Sequence, residues 1–203
     1  MKQICLSTAY FPSVSYMKEI QKADTVWIEQ YDHYIRQTYR NRCYIAAANG
    51  KMALSIPVER GLTEKNLVKD IRISDHDNWR HQHWQSIVSA YGMSPFFEYY
   101  EDEIVPFFEK KWKFLIDFNM EITQKFLDLL EIERPLKLTD DYCVDFQNKV
   151  VDLRLKTKTH KEDMGATKPY YQVFDTKYGF LPDLSVLDLL FNMGNESILY
   201  LTD

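Results

Sequence analysis

Residues 3–28, with the sequence QICLSTAYFPSVSYMKEIQKADTVWI, decide the fold of this chain. The segment opens with a short apolar run that is typical of a buried strand. Pro12 ends this strand because proline has no N–H to donate to a neighbouring strand, and it restricts Phe11 before it to an extended backbone. We therefore expect the first strand to finish in a loop at Tyr10-Phe11-Pro12.

A helix and a second strand follow within the same segment. Apolar residues recur every three positions from Val14 to Ile20, and Ser13 or Ser15 can cap this helix. The β-branched and aromatic sequence TVWI at 25–28 predicts the next strand. A strand, a helix and a strand in such close succession indicate a parallel βαβ unit with a right-handed crossover.

Two further strands are expected at residues 39–49 and 52–58. Between them lies Asn49-Gly50, a pair that adopts the positive φ angles of a tight hairpin turn with little strain. The alternating stretch from Val68 to Ile73 predicts an edge strand.

The middle of the chain is predicted to be helical. One helix begins at Asp77 or Asn78 and ends at Gly92. The apolar residues that follow Phe114 keep a 3.6-residue period over about four turns, and Pro135 stops that helix.

The last third of the chain combines short strands, a long loop and a terminal helix. Pieces typical of strands occur at 143–146 and 150–153, and the polar stretch 155–169 is a loop of the kind that is often functional or mobile. A C-terminal helix is predicted from Pro182 to Gly194. Together these elements predict an α/β protein: a mixed sheet that starts with a βαβ unit, then a helical middle and a C-terminal helix.

The composition is that of a globular protein, and we expect one domain that spans residues 1–203. Apolar residues make up 45% and charged residues 27% of the chain, which argues against disorder. A net charge of −5 argues against non-specific nucleic-acid binding.

Three scattered cysteines argue against a disulfide framework. No signal peptide and no long apolar run is visible, so we expect a cytoplasmic protein without membrane insertion.

Residues 31–42, YDHYIRQTYRNR, are the most informative for function. The planar guanidiniums of Arg36, Arg40 and Arg42 suit phosphate or carboxylate groups. If this segment is a strand, Arg40 and Arg42 share one face and Asn41 points to the other. Two guanidiniums on one face repel each other unless a negative group lies between them. That group is either an anionic ligand or the protein's own Asp and Glu residues, and the sequence leaves both open.

Residues 74–84, SDHDNWRHQHW, combine three histidines with two aspartates. On a helix Asp77 and His81 share a face but His81 and His83 point apart, so too few ligands converge for zinc and no metal is expected. His83 lies on the same helix face as Trp79 and is predicted to be buried. Such a histidine is either a hydrogen-bonded core residue or a general base whose pKa is tuned by its surroundings.

The sequence lacks the common catalytic and cofactor motifs. It contains no glycine-rich phosphate loop, no GxSxG elbow and no nucleophilic cysteine signature, so no cofactor is expected. The loop at 10–15 is in the right place for an anion at a helix N-terminus, but it has no glycine for a close backbone approach.

Several segments, in order along nearly the whole chain, resemble the WbqC-like family. They are Tyr10-Phe11-Pro12 with Tyr16, Tyr39 to Arg42, Ser55 to Val58, Trp79 with His83, Tyr91 with Ser94-Pro95, and PYYQVF…GFLPDLSVLDLLFNMG from Pro169 to Gly194. Family members typically carry Gln-Tyr and Lys-Arg pairs ahead of the Arg-Asn-Arg run, where this chain has His33-Tyr34 and Arg36-Gln37. The resemblance implies bacterial surface-polysaccharide gene clusters and a suggested transferase that adds an amino-acid-derived acyl group to an amino sugar.

The first hypothesis is therefore an acyl- or aminoacyl-type transferase that acts on a nucleotide-linked amino sugar. In it Arg40 and Arg42 bind the anion, Asn41 orients the substrate, and the predicted catalytic residue is the base His83. The predicted substrate-binding residues are Tyr10, Phe11, Tyr16, His33, Arg36, Tyr39, Arg40, Asn41, Arg42 and Trp79. The alternative is a non-catalytic binding or assembly module of the same pathway, in which the arginines hold internal carboxylates. The residues do not decide whether the chain is an enzyme.

Overall fold

The computed structural model describes residues 2–59, 61, 65–142, 146, 149–154 and 168–202. It confirms an α/β fold, in which these residues form a parallel sheet of four strands and an antiparallel pair. The strands are β1 (Gln3–Ser7), β2 (Thr25–Glu29), β3 (Arg42–Ala47), β4 (Gly50–Ser55), β5 (Leu136–Leu138) and β6 (Val151–Asp152). The α-helices are α1 (Val14–Gln21), α2 (Trp79–Tyr91), α3 (Phe97–Ile104), α4 (Pro106–Glu109), α5 (Leu115–Leu129), α6 (Asp175–Tyr178) and α7 (Val186–Met193).

The opening βαβ unit is confirmed. β1 and β2 pair in parallel, with Gln3 opposite Thr25, and α1 connects them. Ser13 is the N-cap of α1, because its hydroxyl accepts the N–H of Tyr16 at 3.3 Å. The order of the parallel sheet is β5-β2-β1-β6, so β1 is an inner strand with a neighbour on each side.

The loop after β1 departs from the expectation for Phe11. Its φ angle is 37°, in the left-handed region, rather than extended. The Phe11 side chain is fully buried, and its ring centre lies 5.8 Å from that of Phe108 and 5.9 Å from that of Phe126. Packing of this ring against α4 and α5 offsets a backbone cost of roughly 1–3 kcal/mol. Tertiary packing therefore overrides the local preference that Pro12 imposes.

The predicted hairpin is confirmed, with a small shift of its turn. β3 and β4 pair antiparallel up to Ala47 opposite Gly50, so the two turn residues are Ala48 and Asn49. Of the pair Asn49-Gly50, only Gly50 has a positive φ, at 96°. The glycine thus provides the unusual backbone angle at the end of the turn rather than within it.

β3 begins at Arg42 and leaves Arg40 and Asn41 in the turn before it. The expectation that Arg40 and Arg42 share one face of a strand is therefore wrong. The N–H of Asn41 donates to the carbonyl of Thr38 at 3.2 Å, and its side-chain amide donates to the carbonyl of Ile56 at 2.9 Å. The first bond closes a local turn, and the second ties this turn to the residue that follows β4.

The expected edge strand from Val68 to Ile73 is wrong. Val68–Asp70 forms a 3₁₀ helix, and isolated bridges follow it. Val68 and Ile71 are both fully buried. Their spacing of three matches the three residues per turn of a 3₁₀ helix, so the burial of this pair decides the conformation instead of the alternating pattern.

The long helices agree with the sequence pattern. α2 begins after Asn78 and ends at Gly92, as predicted. α5 confirms the helix after Phe114, but it ends at Leu129, well before Pro135. The chain leaves the helix through Glu131, whose φ is 55°.

The C-terminal helix is confirmed with a later start than expected. The N-cap of α7 is Ser185, whose hydroxyl accepts the N–H of Leu187 at 3.3 Å. Gly194 ends the helix with a φ of 54°, and a second 3₁₀ helix, Gly194–Tyr200, follows. A Cβ atom at Gly194 would lie 2.7 Å from the ring of Phe96, so both the backbone angle and the packing require glycine.

Some predicted features fall outside the described residues, namely most of the piece at 143–146 and positions 155–167 of the long loop. The piece at 150–153 contains β6. Within the described residues, the structure contains no helix with the length and apolar character that a membrane crossing requires.

Candidate functional site

Polar residues stand at the carboxyl end of every strand of the parallel sheet. Ser7, Glu29 and Asp152 are the last residues of β1, β2 and β6, and Thr139 directly follows β5. The strands are parallel, so these residues meet at one edge of the sheet. The strand order reverses at β1, where α/β proteins bind ligands outside the carboxyl ends of their strands. We call the following residues the carboxyl-edge cluster: Ser7, Glu29, Asp32, Arg40, Thr139, Asp152 and Arg154.

Glu29 and Arg154 form a buried ion pair in this cluster. Their side chains are 0% and 6% exposed, and Nη1 of Arg154 donates to Oε2 of Glu29 at 3.0 Å. The other carboxylate oxygen of Glu29 accepts the N–H of Tyr31 at 2.8 Å and the hydroxyl of Thr139 at 3.0 Å. Nε and Nη2 of Arg154 donate to Asp152 at 2.9 and 2.6 Å. Both buried charges are therefore neutralised and hydrogen bonded, as burial of charge requires.

Arg40 is wholly buried and is held by three groups of the protein. Its Nη2 donates to a carboxylate oxygen of Asp32 at 2.6 Å and to the hydroxyl of Ser7 at 3.2 Å. Its Nη1 donates to the carbonyl of His33 at 3.3 Å. Burial lowers the pKa of Arg40, and the carboxylate of Asp32 opposes this change. The charge of Arg40 is thus balanced within the protein, and its role in anion binding stays a prediction.

Arg42 has a different environment. It is half buried, and its Nε donates to the hydroxyl of Ser55 at 2.9 Å. It makes no ion pair within the part of the chain that the structure describes. The backbone of Ser55 is hydrogen bonded to the ring of His83, and Nδ1 of His83 lies 2.9 Å from the hydroxyl oxygen of Tyr10. Ser55 therefore connects Arg42 with His83, and His83 in turn contacts Tyr10.

His83 is held by Tyr10 and by the backbone of Ser55. Nδ1 of His83 and the hydroxyl of Tyr10 share a hydrogen bond of 2.9 Å, and the hydrogen bond with the backbone of Ser55 raises the pKa of His83. Burial has the larger effect and lowers the pKa of His83 to about 4. The ring is unprotonated at neutral pH, as a base must be, but Nδ1 is already hydrogen bonded to Tyr10. The catalytic role of His83 stays a prediction.

The three aromatic residues predicted to stack on a substrate belong to the core. Tyr10, Phe11 and Trp79 are at most 2% exposed. The ring centre of Tyr10 lies 4.8 Å from that of Phe11 and 5.9 Å from that of Phe118, and the ring of Trp79 lies 5.2 Å from that of His83. A nucleobase or sugar could stack on these rings only after the core opens, so this role stays a prediction.

The remaining predicted residues lie around the carboxyl edge. The hydroxyl of Tyr16 donates to the carbonyl of Ser7 at 2.9 Å and so fixes α1 to the end of β1. Tyr39 is half buried, with its ring against β3. His33 and Arg36 are exposed, in the chain segment that leads to Arg40. The structure thus brings Tyr16 and His33 to the cluster through Ser7 and Arg40. It groups Tyr10, Phe11, Trp79 and His83 through ring contacts, and Ser55 links His83 to Arg42.

The sequence reasoning missed most of the carboxyl-edge cluster. A usable signal was present for Glu29, a polar residue that directly follows the strand predicted at 25–28. Asp32 lies within the arginine-rich segment and could have been named as the partner of Arg40. Arg154 directly follows the piece predicted at 150–153, but the sequence did not indicate that this piece pairs with the first strand. Ser7 lies within the predicted first strand and had no signal of its own.

The loop after β1 and the His-rich start of α2 are the other places where an anion or a metal could bind. The N–H of Ser15, in the first turn of α1, donates to the carboxylate of Asp183 at 3.0 Å, so a residue of the chain itself fills the anion position after the first strand. Among the described residues, no three His, Cys, Asp or Glu side chains are grouped as a metal site would require.

A model of the WbqC-like protein family matches residues 8–169. The matched range includes every predicted site residue and all members of the carboxyl-edge cluster except Ser7. No curated protein and no solved structure is significantly similar to the chain.

Proposed function

The chain belongs to the WbqC-like protein family, and on this premise we propose that it is a transferase that modifies a nucleotide-linked amino sugar in surface-polysaccharide biosynthesis. The observation that carries the proposal is the carboxyl-edge cluster, which lies where the order of a parallel sheet reverses. This is the position at which open α/β sheets bind their ligands. The pathway follows from the resemblance described above, and the anionic nature of the substrate follows from the arginines.

The arginines divide into two roles in this proposal. Arg36 and Arg42 make no ion pair within the described residues, so their charges are available to a diphosphate. Arg40 is held by Asp32 and Ser7 and presents a fixed guanidinium beside them.

In the reaction the substrate amine would attack the acyl carbon of an activated donor. A C–N bond forms, the bond to the leaving group breaks, and the amine loses a proton to a base.

His83 is included as that base on one condition. Its low pKa leaves it unprotonated, but Nδ1 is hydrogen bonded to the hydroxyl of Tyr10, and both residues are buried. It could take a proton from a substrate only if this hydrogen bond opens. A dependence of the catalytic rate on the Tyr10–His83 pair would support the role, and a His83→Asn variant that keeps the full rate would remove it.

Binding of the substrate can be tested by isothermal titration with UDP-glucosamine and with UDP-glucose, which differ in the amine. We expect the amino sugar to bind more tightly and Arg42→Ala to weaken both by tenfold or more, since hydrogen bonds to charged groups contribute about 1.5–3 kcal/mol. Arg134→Ala is the matched control, because Arg134 lies two residues before the start of β5 and therefore at the opposite, amino-terminal edge of the sheet. Unchanged affinity in Arg42→Ala, or no binding by the wild type, would contradict the proposal.

A second candidate is a non-catalytic binding or assembly module of the same pathway. The ion pairs Arg40–Asp32 and Arg154–Glu29 favour it, because they satisfy two arginines with internal carboxylates. A thermal-shift series with nucleotides, nucleotide sugars and amino acids distinguishes the two. A ligand that binds only the folded protein raises the melting temperature by mass action, so the module predicts shifts below about 1 °C for the wild type and for Arg42→Ala alike.

A further inference from the structure

Tyr34 carries a buried hydroxyl that has no hydrogen-bond partner among the described residues. The residue is 6% exposed, and its N–H donates to the carbonyl of Asn66 at 2.8 Å, which fixes its backbone. Buried hydroxyl groups are normally paired, because taking them out of water without a new partner costs free energy. A fixed, unpaired hydroxyl in the segment of the predicted site indicates a position for a ligand atom.

Two arginines act electrostatically on this hydroxyl, and one of them, Arg40, donates to the carbonyl of the preceding residue, His33. Burial raises the pKa of Tyr34 to about 12, and the guanidiniums of Arg40 and Arg36 oppose the rise. Nη1 and Nη2 of Arg40 are used by His33, Asp32 and Ser7, but its Nε has no partner in the described part of the chain. Arg36 is exposed to solvent. One hydroxyl, one buried N–H and one exposed guanidinium therefore belong to the same segment, and none of them has an acceptor among the residues that the structure describes.

We propose that Tyr34, Arg36 and Arg40 form an anion subsite that binds a phosphate group of the nucleotide-linked substrate, an inference that rests on the proposed function. All three groups act as donors, and two of them carry positive charge, so the ligand atom must be an acceptor and an anion suits it best. Arg36, which is exposed, contacts the anion from the solvent side. The Tyr34 hydroxyl and Nε of Arg40 are both buried, so an anion reaches them only when the packing around Tyr34 opens. They then bind it at the inner end of the subsite, where hydrogen bonds to charge are strong.

Tyr34→Phe tests this subsite with little disturbance of the fold. It removes an oxygen that bonds to no described residue, so we expect the melting temperature to stay the same or rise slightly. Isothermal titration with inorganic pyrophosphate should show an affinity about tenfold weaker than that of the wild type, as expected when one hydrogen bond to a charged group is lost. Tyr99→Phe is the control, because that tyrosine is 73% exposed and lies on α3. It should bind like the wild type.

The outcomes separate the subsite from the function. Equal affinity of wild type and Tyr34→Phe for both pyrophosphate and UDP-glucosamine would overturn the subsite and leave the proposed function standing. Tyr34-dependent binding of pyrophosphate, with no preference for UDP-glucosamine over UDP-glucose, would support the subsite and overturn the amino-sugar assignment. A wild type that binds none of the three ligands would overturn both.

Discussion

Two buried groups with shifted pKa values should give the stability of this protein an unusual dependence on pH. His83 has its pKa lowered to about 4 by burial, and Asp188 has its pKa raised to about 6 by burial. Asp188 is fully buried on α7 and accepts hydrogen bonds from Tyr170 and Gln172, each at 2.7 Å. In the unfolded chain the two groups titrate near 6.5 and 3.8.

The two contributions have opposite signs. The folded state resists protonation of His83. The contribution of His83 to the free energy of unfolding is therefore complete above pH 6.5 and is lost as the pH falls to about 4. The folded state retains the proton of Asp188, so its contribution is complete below pH 3.8 and is lost as the pH rises through about 6. At 1.36 kcal/mol per pKa unit each contribution is about 3 kcal/mol. In the wild type they largely cancel between pH 4 and 6.

Single variants separate these contributions. Urea unfolding followed by tryptophan fluorescence gives the free energy of unfolding at pH 4, 5, 6 and 7. Relative to the wild type, His83→Asn should gain about 3 kcal/mol as the pH falls from 6.5 to 4, and Asp188→Asn should lose a similar amount over the same range. Because each comparison uses the wild type at the same pH, all other titrating groups cancel. Parallel curves for the three proteins would refute the assignment of either group.

Three further perturbations test the packing around the candidate site. Arg154→Ala leaves the buried carboxylate of Glu29 without its cation and should lower the free energy of unfolding by about 3–5 kcal/mol. The double variant Glu29→Gln, Arg154→Met should recover most of this loss. Equal losses in the two proteins would contradict a buried ion pair. Gly194→Ala meets the ring of Phe96 and a left-handed backbone, so urea unfolding should show a loss of roughly 1–3 kcal/mol. Ser13→Ala removes the cap of α1 and should cost about 1 kcal/mol, with Ser13→Asp as the variant that restores it.

The parts of the fold that the sequence predicts correctly are governed by local patterns. The βαβ unit, the hairpin and α5 each follow from the periodicity of apolar residues and from nearby Ser, Gly or Pro residues. Each of these signals lies within the element that it specifies. The bounds of these elements shift where a tertiary contact competes, as at the start of β3, where Asn41 binds the carbonyl of Ile56.

The candidate site was harder to predict because its partners are distant in sequence. Glu29 and Arg154 are 125 positions apart, and their pairing depends on the addition of β6 beside β1. The conformations of Phe11 and of Val68–Asp70 likewise depend on what their side chains contact in the core. Sequence patterns identified the arginines as important, but only the fold distinguishes those with a carboxylate partner from those without.

That distinction also reconciles the two interpretations of the arginines. A buried ion pair generally adds little net stability compared with apolar residues of the same size, so the pairs at the carboxyl edge require another reason. Asp32 and Ser7 hold Nη2 of Arg40 and the carbonyl of His33 holds Nη1, so the direction of the remaining Nε–H is fixed. A donor that is already oriented loses little entropy when an anion binds. The internal carboxylate that balances the charge of Arg40 can therefore be the group that orients Arg40 for a ligand, and the internal pair does not argue against a binding site.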